Sequence, residues 1–212
     1  MTTTHLTTPG LRERKRLATR RSIQVAVLEL LDERGIDGVT VDEISRMADV
    51  SPRTFFNYFA SKEEAMLGDA PELPGQDVID EFLEGHGTVL EDLATVLTRA
   101  GDHATADAEM LHLRHRLLKQ FPQLFAMRMA TMRAFEESVA EIVAVRLARD
   151  EPALAADPDA RASRARLITL VAFAAMRHAW TAWAHSAGPA PLADQLAESF
   201  AELRSLFASE PA

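Results

Sequence analysis

The sequence has no cysteine among its 212 residues. That excludes disulfides, thiolate metal sites and a cysteine nucleophile, and it fits a reducing, cytoplasmic setting. No run approaches the roughly eighteen apolar residues that a membrane-spanning helix needs, so a membrane is not an expected partner. The opening MTTTHLTTPG lacks the apolar stretch of a secretory signal and reads as a short flexible arm. Strand-like alternation, internal repeats and low-complexity tracts are missing too. So are a Gly-rich phosphate loop and a convincing Ser/His/Asp arrangement, which leaves no catalytic residue to name.

What is present is apolar, acidic and helical. Hydrophobic residues make up 47% of the chain, enough for a packed core. The formal net charge of −9 is unevenly placed. Residues 1–62 hold ten basic and eight acidic side chains; the rest holds 13 basic and 24 acidic. Such asymmetry marks either a polyanion-facing head on an acidic body or a solvated cluster.

Ile23, Ala26, Val27, Leu30 and Leu31 recur at helical spacing through a helix from Arg12 to Arg34, whose first turns carry Arg12, Arg14, Lys15, Arg16, Arg20 and Arg21. Gly35 is placed to cap it. Thr40 and Glu43 form a capping box opening a short helix to about Ala48. Asp49 sits at the turn that follows, where a left-handed backbone is tolerated. Ser51 caps the next helix, Pro52 to about Tyr58, with proline where no amide is needed. Ser61 and Glu64 read as a second capping box, starting a fourth helix that runs to about Ala70 before Pro71 and Pro74. Further helices are expected near 76–84, 88–101, 104–120, 122–150, 159–187 and 191–208, with connectors at 148–160 and at GPAP (188–191).

Two short helices joined tightly make a helix-turn-helix, whose second helix enters the major groove. Arg53 can fork onto guanine O6 and N7. Thr54 and Asn57 can bond bases or phosphate, Tyr58 can offer its hydroxyl to phosphate, and an exposed Phe56 can press on thymine methyls. Thr40 and Lys62 stand at helix starts, which suit phosphates. Phe55 and Phe59, four apart, should pack against Ile23, Val27 and Ile44. Alternatively Arg53 is merely solvated, and Phe56 or Tyr58 is packing.

The string TVDEISRMADVSPRTFFNYFASKEEAM (40–66) resembles the DNA-binding domain of TetR-family transcriptional regulators, and the likeness extends over about 16–67. The resemblance implies groove-facing or base-contacting roles for Pro52, Arg53, Thr54 and Phe56. It implies phosphate contacts for Thr40, Asn57, Tyr58 and Lys62. Asp49 departs from the usual glycine. The Phe-Phe-Asn-Tyr-Phe run is similar to that of a large subgroup whose ligands are often acyl-CoA-like.

The body offers two apolar helices. Residues 159–187 carry Leu167, Leu170, Phe173, Trp180 and Trp183; residues 191–208 carry Leu192, Leu196, Phe200, Leu203 and Phe207. They suit half of a four-helix dimer bundle, the dimer mode that the resemblance implies. Trp180, Trp183, Leu196, Phe200 and Leu203 are the expected interface. The 122–150 helix hints at a pocket: Phe125, Arg128, Met132 and Phe135, with Phe173 and His178 from the next long helix. A buried Arg128 demands an anion, either an internal carboxylate or a ligand's acid group. His178 reads as a satisfied core histidine or a ligand contact. Glu109-x-x-His112 is a single di-iron-type unit where two are needed, and His112 with His115 is a weak metal pair, so no metal or other cofactor is expected.

The expected fold is all-α: an N-terminal three-helix helix-turn-helix head (11–60) and a larger C-terminal helical bundle (61–212), about nine helices, dimeric. The expected function is that of a non-enzymatic, ligand-responsive regulator, a repressor. Its partners would be a palindromic double-stranded DNA operator, a second copy of itself, and a small apolar or acyl-CoA-like effector that releases it. A metalloenzyme and a helical carrier with a vestigial head are the rival readings.

Overall fold

The computed structural model describes residues 10–69, 71–102, 108–185 and 192–208. The N-terminal arm up to residue 9, the expected helix start at 104 and the GPAP break lie outside the described residues, as does the Phe207 side chain. Among the described residues every regular element is an α-helix. In order they are α1 (Leu11–Arg34), α2 (Val41–Met47), α3 (Pro52–Phe56), α4 (Lys62–Leu67), α5 (Gln76–Glu84), α6 (Val89–Asp102), α7 (Ala108–Gln120), α8 (Pro122–Asp150), α9 (Pro152–Ala156), α10 (Pro158–His185) and α11 (Leu192–Ala208).

Local chemistry sets the ends. Gly35, with φ of 72°, closes α1 through its N–H on Leu31 O at 3.0 Å. A side chain with a Cβ resists that backbone. The Thr40–Glu43 capping box is reciprocal: Glu43 N–H donates to Thr40 Oγ1 at 3.3 Å and Thr40 N–H to Glu43 Oε2 at 3.2 Å. Asp49 does take the left-handed turn, with φ of 54°. Ser51 accepts from Thr54 N–H at 3.0 Å, with Pro52 at the first helical position.

Three details differ from the sequence reading. Ser61 caps α4 through Glu64 N–H at 3.1 Å, but Glu64 reaches one residue further back, accepting from Ala60 N–H at 2.6 Å. That is a cap without the reciprocal bond. The helix stops at Gly68, φ 74°, before either proline is reached. Within the 148–160 connector, Pro152 starts the extra short helix α9, because proline at the first position needs no amide partner.

By contact the chain divides into two compact units. One is the chain up to Asp69 with Leu113–Phe125; the other is the intervening chain with everything from Ala126 on. The first has Ile23, Val27, Leu31, Ile44, Phe55, Phe59 and Met66 buried, the two phenylalanine rings 5.9 Å apart. Truncating a buried phenylalanine costs about 3–5 kcal/mol, so these rings are what hold so short a helix as α3 in place. The second unit is built on Phe82, Leu93, Leu97, Phe135, Val139, Val143, Phe173 and Phe200, with α11 lying against α10 and α6.

Candidate nucleic-acid interface and effector body

With Phe55 turned inward, α3 turns Pro52, Arg53, Phe56 and Asn57 outward. Phe56 is 57% exposed, although it stands next to a residue with no exposure at all. An aromatic held out in solvent beside an arginine is poor packing and a good groove contact. Thr54 is half-buried, its hydroxyl 2.8 Å from that of Ser51. Tyr58 is half-buried at the end of the same segment.

Arg20 fixes that end, a role the sequence reading did not assign. Its guanidinium lies 4.2 Å from the Phe59 ring centre, donates from Nη1 to Tyr58 O at 2.8 Å, and pairs with Asp69. One cation of the basic cluster therefore braces the end of the α3 segment from inside. The signal available in the sequence was only its helical spacing from the buried Ile23 and Val27.

Lys62 is also braced. Its ammonium donates to Ile36 O and Val39 O, both at 2.9 Å, tying the start of α4 to the α1–α2 turn. Two of its three N–H groups are engaged. Hydrogen bonds from a charged donor contribute about 1.5–3 kcal/mol each. Lys62→Met is therefore expected to lower the urea midpoint of the head by at least about 1 kcal/mol equivalent, before any effect on DNA. An unchanged midpoint would show that these bonds do not hold the turn. Thr40 is occupied likewise: its hydroxyl donates to Glu43 Oε2 at 2.8 Å, and Glu43 meets Arg34 at 2.6 Å. Thr40's hydroxyl, its amide and Arg34 hold the Glu43 carboxyl below the usual carboxylate range, against the opposing effect of desolvation. A phosphate reaching Thr40 has to displace Glu43.

In the body, the pocket residues expected from sequence do not all converge. Phe135 and Phe173 are buried with ring centres 5.6 Å apart, and Met132 packs against the same cluster. Phe125 is half-exposed and belongs to the first unit. Arg128 is half-buried and engaged. His178 is exposed on α10, its Nδ1 2.9 Å from Ser199 Oγ, and is not the core histidine expected. The deeply buried arginine is Arg146, with 1% exposure. It bonds Asp150 at 2.5 Å, Asp92 at 3.1 Å, Gly87 O at 3.1 Å and Phe82 O. Asp150, four residues on, was the overlooked signal.

The expected interface residues divide as well. Trp183, Leu196 and Phe200 are buried within the protomer itself, while Trp180 and Leu203 are half-buried. Leu167, Leu170, Ala174, His178 and Thr181 are exposed instead, along one face of α10. The His112 ring stacks on Trp183 at 3.8 Å. Among the described residues no group of three metal-binding side chains occurs, and no helix is long and apolar enough to cross a membrane.

Residues 23–66 match the model for bacterial regulatory proteins of the tetR family; residues 88–208, more than half the chain, match the TetR-type model of the MftR C-terminal domain. The chain belongs to the TetR family. Its members are ligand-responsive DNA-binding transcriptional regulators, not enzymes. The chain is 48% identical over 59 residues to the transcriptional regulator TcmR of Streptomyces glaucescens, a match covering 28% of this chain and 26% of that protein. It is 31% identical over 96 residues to the fatty acid metabolism regulator protein of Bacillus subtilis, covering 42% and 50%. These matches thus span between a quarter and a half of the relatives' own lengths. The structure of FadR from Bacillus subtilis, solved with stearoyl-CoA, superposes with a TM-score of 0.52 at 18% identity, covering 86% of this chain and 96% of that one. That likeness is one of TetR-family fold.

Proposed function

We propose that the protein is a homodimeric repressor that binds a palindromic operator and is released by an apolar or acyl-CoA-type effector. Residues 11–60 would form the DNA-binding domain and residues 61–212 the effector and dimerisation domain. The observation that carries the reading is α3, a five-residue helix pinned by Phe55 yet presenting Arg53, Phe56 and Asn57 outward. Arg53, Phe56, Thr54 and Pro52 would meet bases. Asn57 and Tyr58 would meet phosphates, with Lys62 and Thr40 framing the turn and reaching phosphate where their internal bonds allow.

A palindrome needs two heads, and the open apolar face of α10 supports a second copy there. Leu167 and Leu170 are 63% and 48% exposed in the protomer. Replacing both with glutamate is expected to shift the molecular mass in solution from dimer to monomer, and to abolish cooperative operator binding while leaving the helical content intact. A dimer that survives the double change would place the interface elsewhere.

The effector proposal draws on the Phe-Phe-Asn-Tyr-Phe likeness and on the stearoyl-CoA carried by the FadR neighbour. Met132, Phe135 and Phe173 pack in one core cluster; an acyl chain entering it would bind an opened conformer better than the closed one, as release requires. The test is a mobility shift on DNA upstream of the protein's own gene. Stearoyl-CoA should dissolve the band, and free CoA should not. Equal effects of the two would reject an acyl effector; absence of a band would reject autoregulation through that DNA.

A further inference from the structure

Helix α10 buries a hydroxyl that no protein group holds. Thr169 is 2% exposed, and its Oγ1 has no hydrogen-bond partner among the described residues. We propose that Thr169 is a specificity-determining contact for the effector, selecting a ligand with a neutral oxygen, carbonyl or hydroxyl, on an otherwise apolar chain. The proposal rests on the reading of the second unit as an effector body and names a group that its ligand must carry.

The first argument is that the hydroxyl has a local remedy and does not take it. A helical threonine can turn its oxygen onto the carbonyl four residues back. Thr98, Thr131 and Thr181 do so, donating to Ala94 O, Met127 O and Arg177 O at 2.8–3.1 Å. Ala165 O stands in that place for Thr169, yet Oγ1 does not bond it. A buried hydroxyl without a partner weakens the fold, and such costs concentrate at functional sites.

The second argument is the setting. Ala165, Ala172 and Phe173, at four residues before and three and four after, share the Thr169 face of α10. All three belong to the core cluster that holds Phe135 and Val139 and against which Met132 packs. Alanines on either side leave the hydroxyl unshielded along the helix, so a chain entering the opened cluster and lying on this face would meet it.

The third argument is charge. Buried Arg146 is engaged by Asp150, Asp92, Gly87 O and Phe82 O, and buried Ser199 meets His178 Nδ1 at 2.9 Å. A carboxylate or phosphate brought to Thr169 would be stripped of water for one hydroxyl, which is costly; a neutral oxygen is not. An acyl-CoA has two sources of such an oxygen: the thioester carbonyl, and a hydroxyl or oxo group along the chain.

The test follows ligand binding by the full-length protein through its tryptophan fluorescence, without DNA. Stearoyl-CoA against its thioether, S-octadecyl-CoA, tests the thioester; 12-hydroxystearoyl-CoA against stearoyl-CoA tests the chain. Wild type should favour the oxygenated member of one pair by about tenfold, as one hydrogen bond implies. Thr169→Val, which keeps the shape and removes the hydroxyl, should erase that preference and leave the other member's affinity unchanged. Thr169→Ser should keep the preference. Without ligand, Thr169→Val should melt at or above the wild-type temperature.

A preference that survives in Thr169→Val, or that wild type lacks in both pairs, would overturn the proposal. So would a lower melting temperature for Thr169→Val, since the hydroxyl would then hold the fold. If no CoA compound binds wild type, the acyl-CoA reading fails by itself. The same three proteins with 2-undecanone against 1-undecene then decide Thr169: a ketone preference lost only in Thr169→Val supports it, and any other result overturns it.

Discussion

Arg146→Met is expected to lower the unfolding free energy by about 3 kcal/mol, the lower end of the cost of removing one partner from a buried ion pair. The side chain is fully shielded from solvent, and its three nitrogens all donate. It joins α8 to the end of α5, to the α5–α6 turn and to Asp92 on α6. Methionine fills much of the volume but leaves the carboxylates of Asp92 and Asp150 and the carbonyls of Phe82 and Gly87 without that donor. The lower end applies because the two aspartate side chains keep 27% and 29% exposure, so water recovers part of the loss. Arg128→Met, at a half-buried position, is expected to cost about 1 kcal/mol. Equal costs at the two positions would show that the Arg146 network contributes little.

Acid should expose the same network. Burial raises the Asp150 carboxyl, but hydrogen bonds from Arg146 and Arg149 more than reverse this and hold it below the usual range. A carboxyl whose value is lowered by folding adds stability that is present above its unfolded value, about 3.9, and lost as pH falls through the folded one. Urea midpoints of the wild type should therefore decline below about pH 4 more steeply than those of Arg146→Met.

Arg53→Ala is expected to leave stability unchanged and to erase about 1–3 kcal/mol of discrimination at one base pair of each half-site. The residue is exposed, and its one recorded bond among the described residues is through its backbone carbonyl, which accepts from Asn57 N–H at 3.2 Å and survives truncation of the side chain. A guanidinium forked onto guanine is lost, and the other three bases no longer bind worse at that position. Anisotropy against the operator and its single-mismatch variants measures this directly. Uniform weakening on all duplexes would instead assign Arg53 to phosphate. Phe55→Ala, two residues along, should fail differently, by unfolding the head.

Much of this fold is legible in the chain because helix ends are written locally. Thr40, Ser51 and Ser61 each cap a helix with their own oxygen, and Asp49 takes the left-handed turn that its short side chain tolerates. Helical spacing also separates Phe55 from Phe56. Tertiary partners are less visible. Arg146 looks like any charge late in a long helix, and apart from Asp150 on its own helix its acceptors lie on α5, α6 and the turn between them. Trp183, Leu196 and Phe200 form an apolar stripe whether the stripe meets a second copy or its own chain; here it meets its own chain. Lys62 gives no sign that its ammonium is held by carbonyls 23 and 26 residues upstream.

The measurement that bears most directly on the central claim is selection of genomic fragments by the purified full-length protein. The account predicts enrichment of an inverted repeat whose half-sites are centred about 34–36 Å apart, or a whole number of turns further, with Arg53→Ala relaxing one position in each half. Fragments recovered without a common motif, at an affinity indifferent to salt, would contradict it.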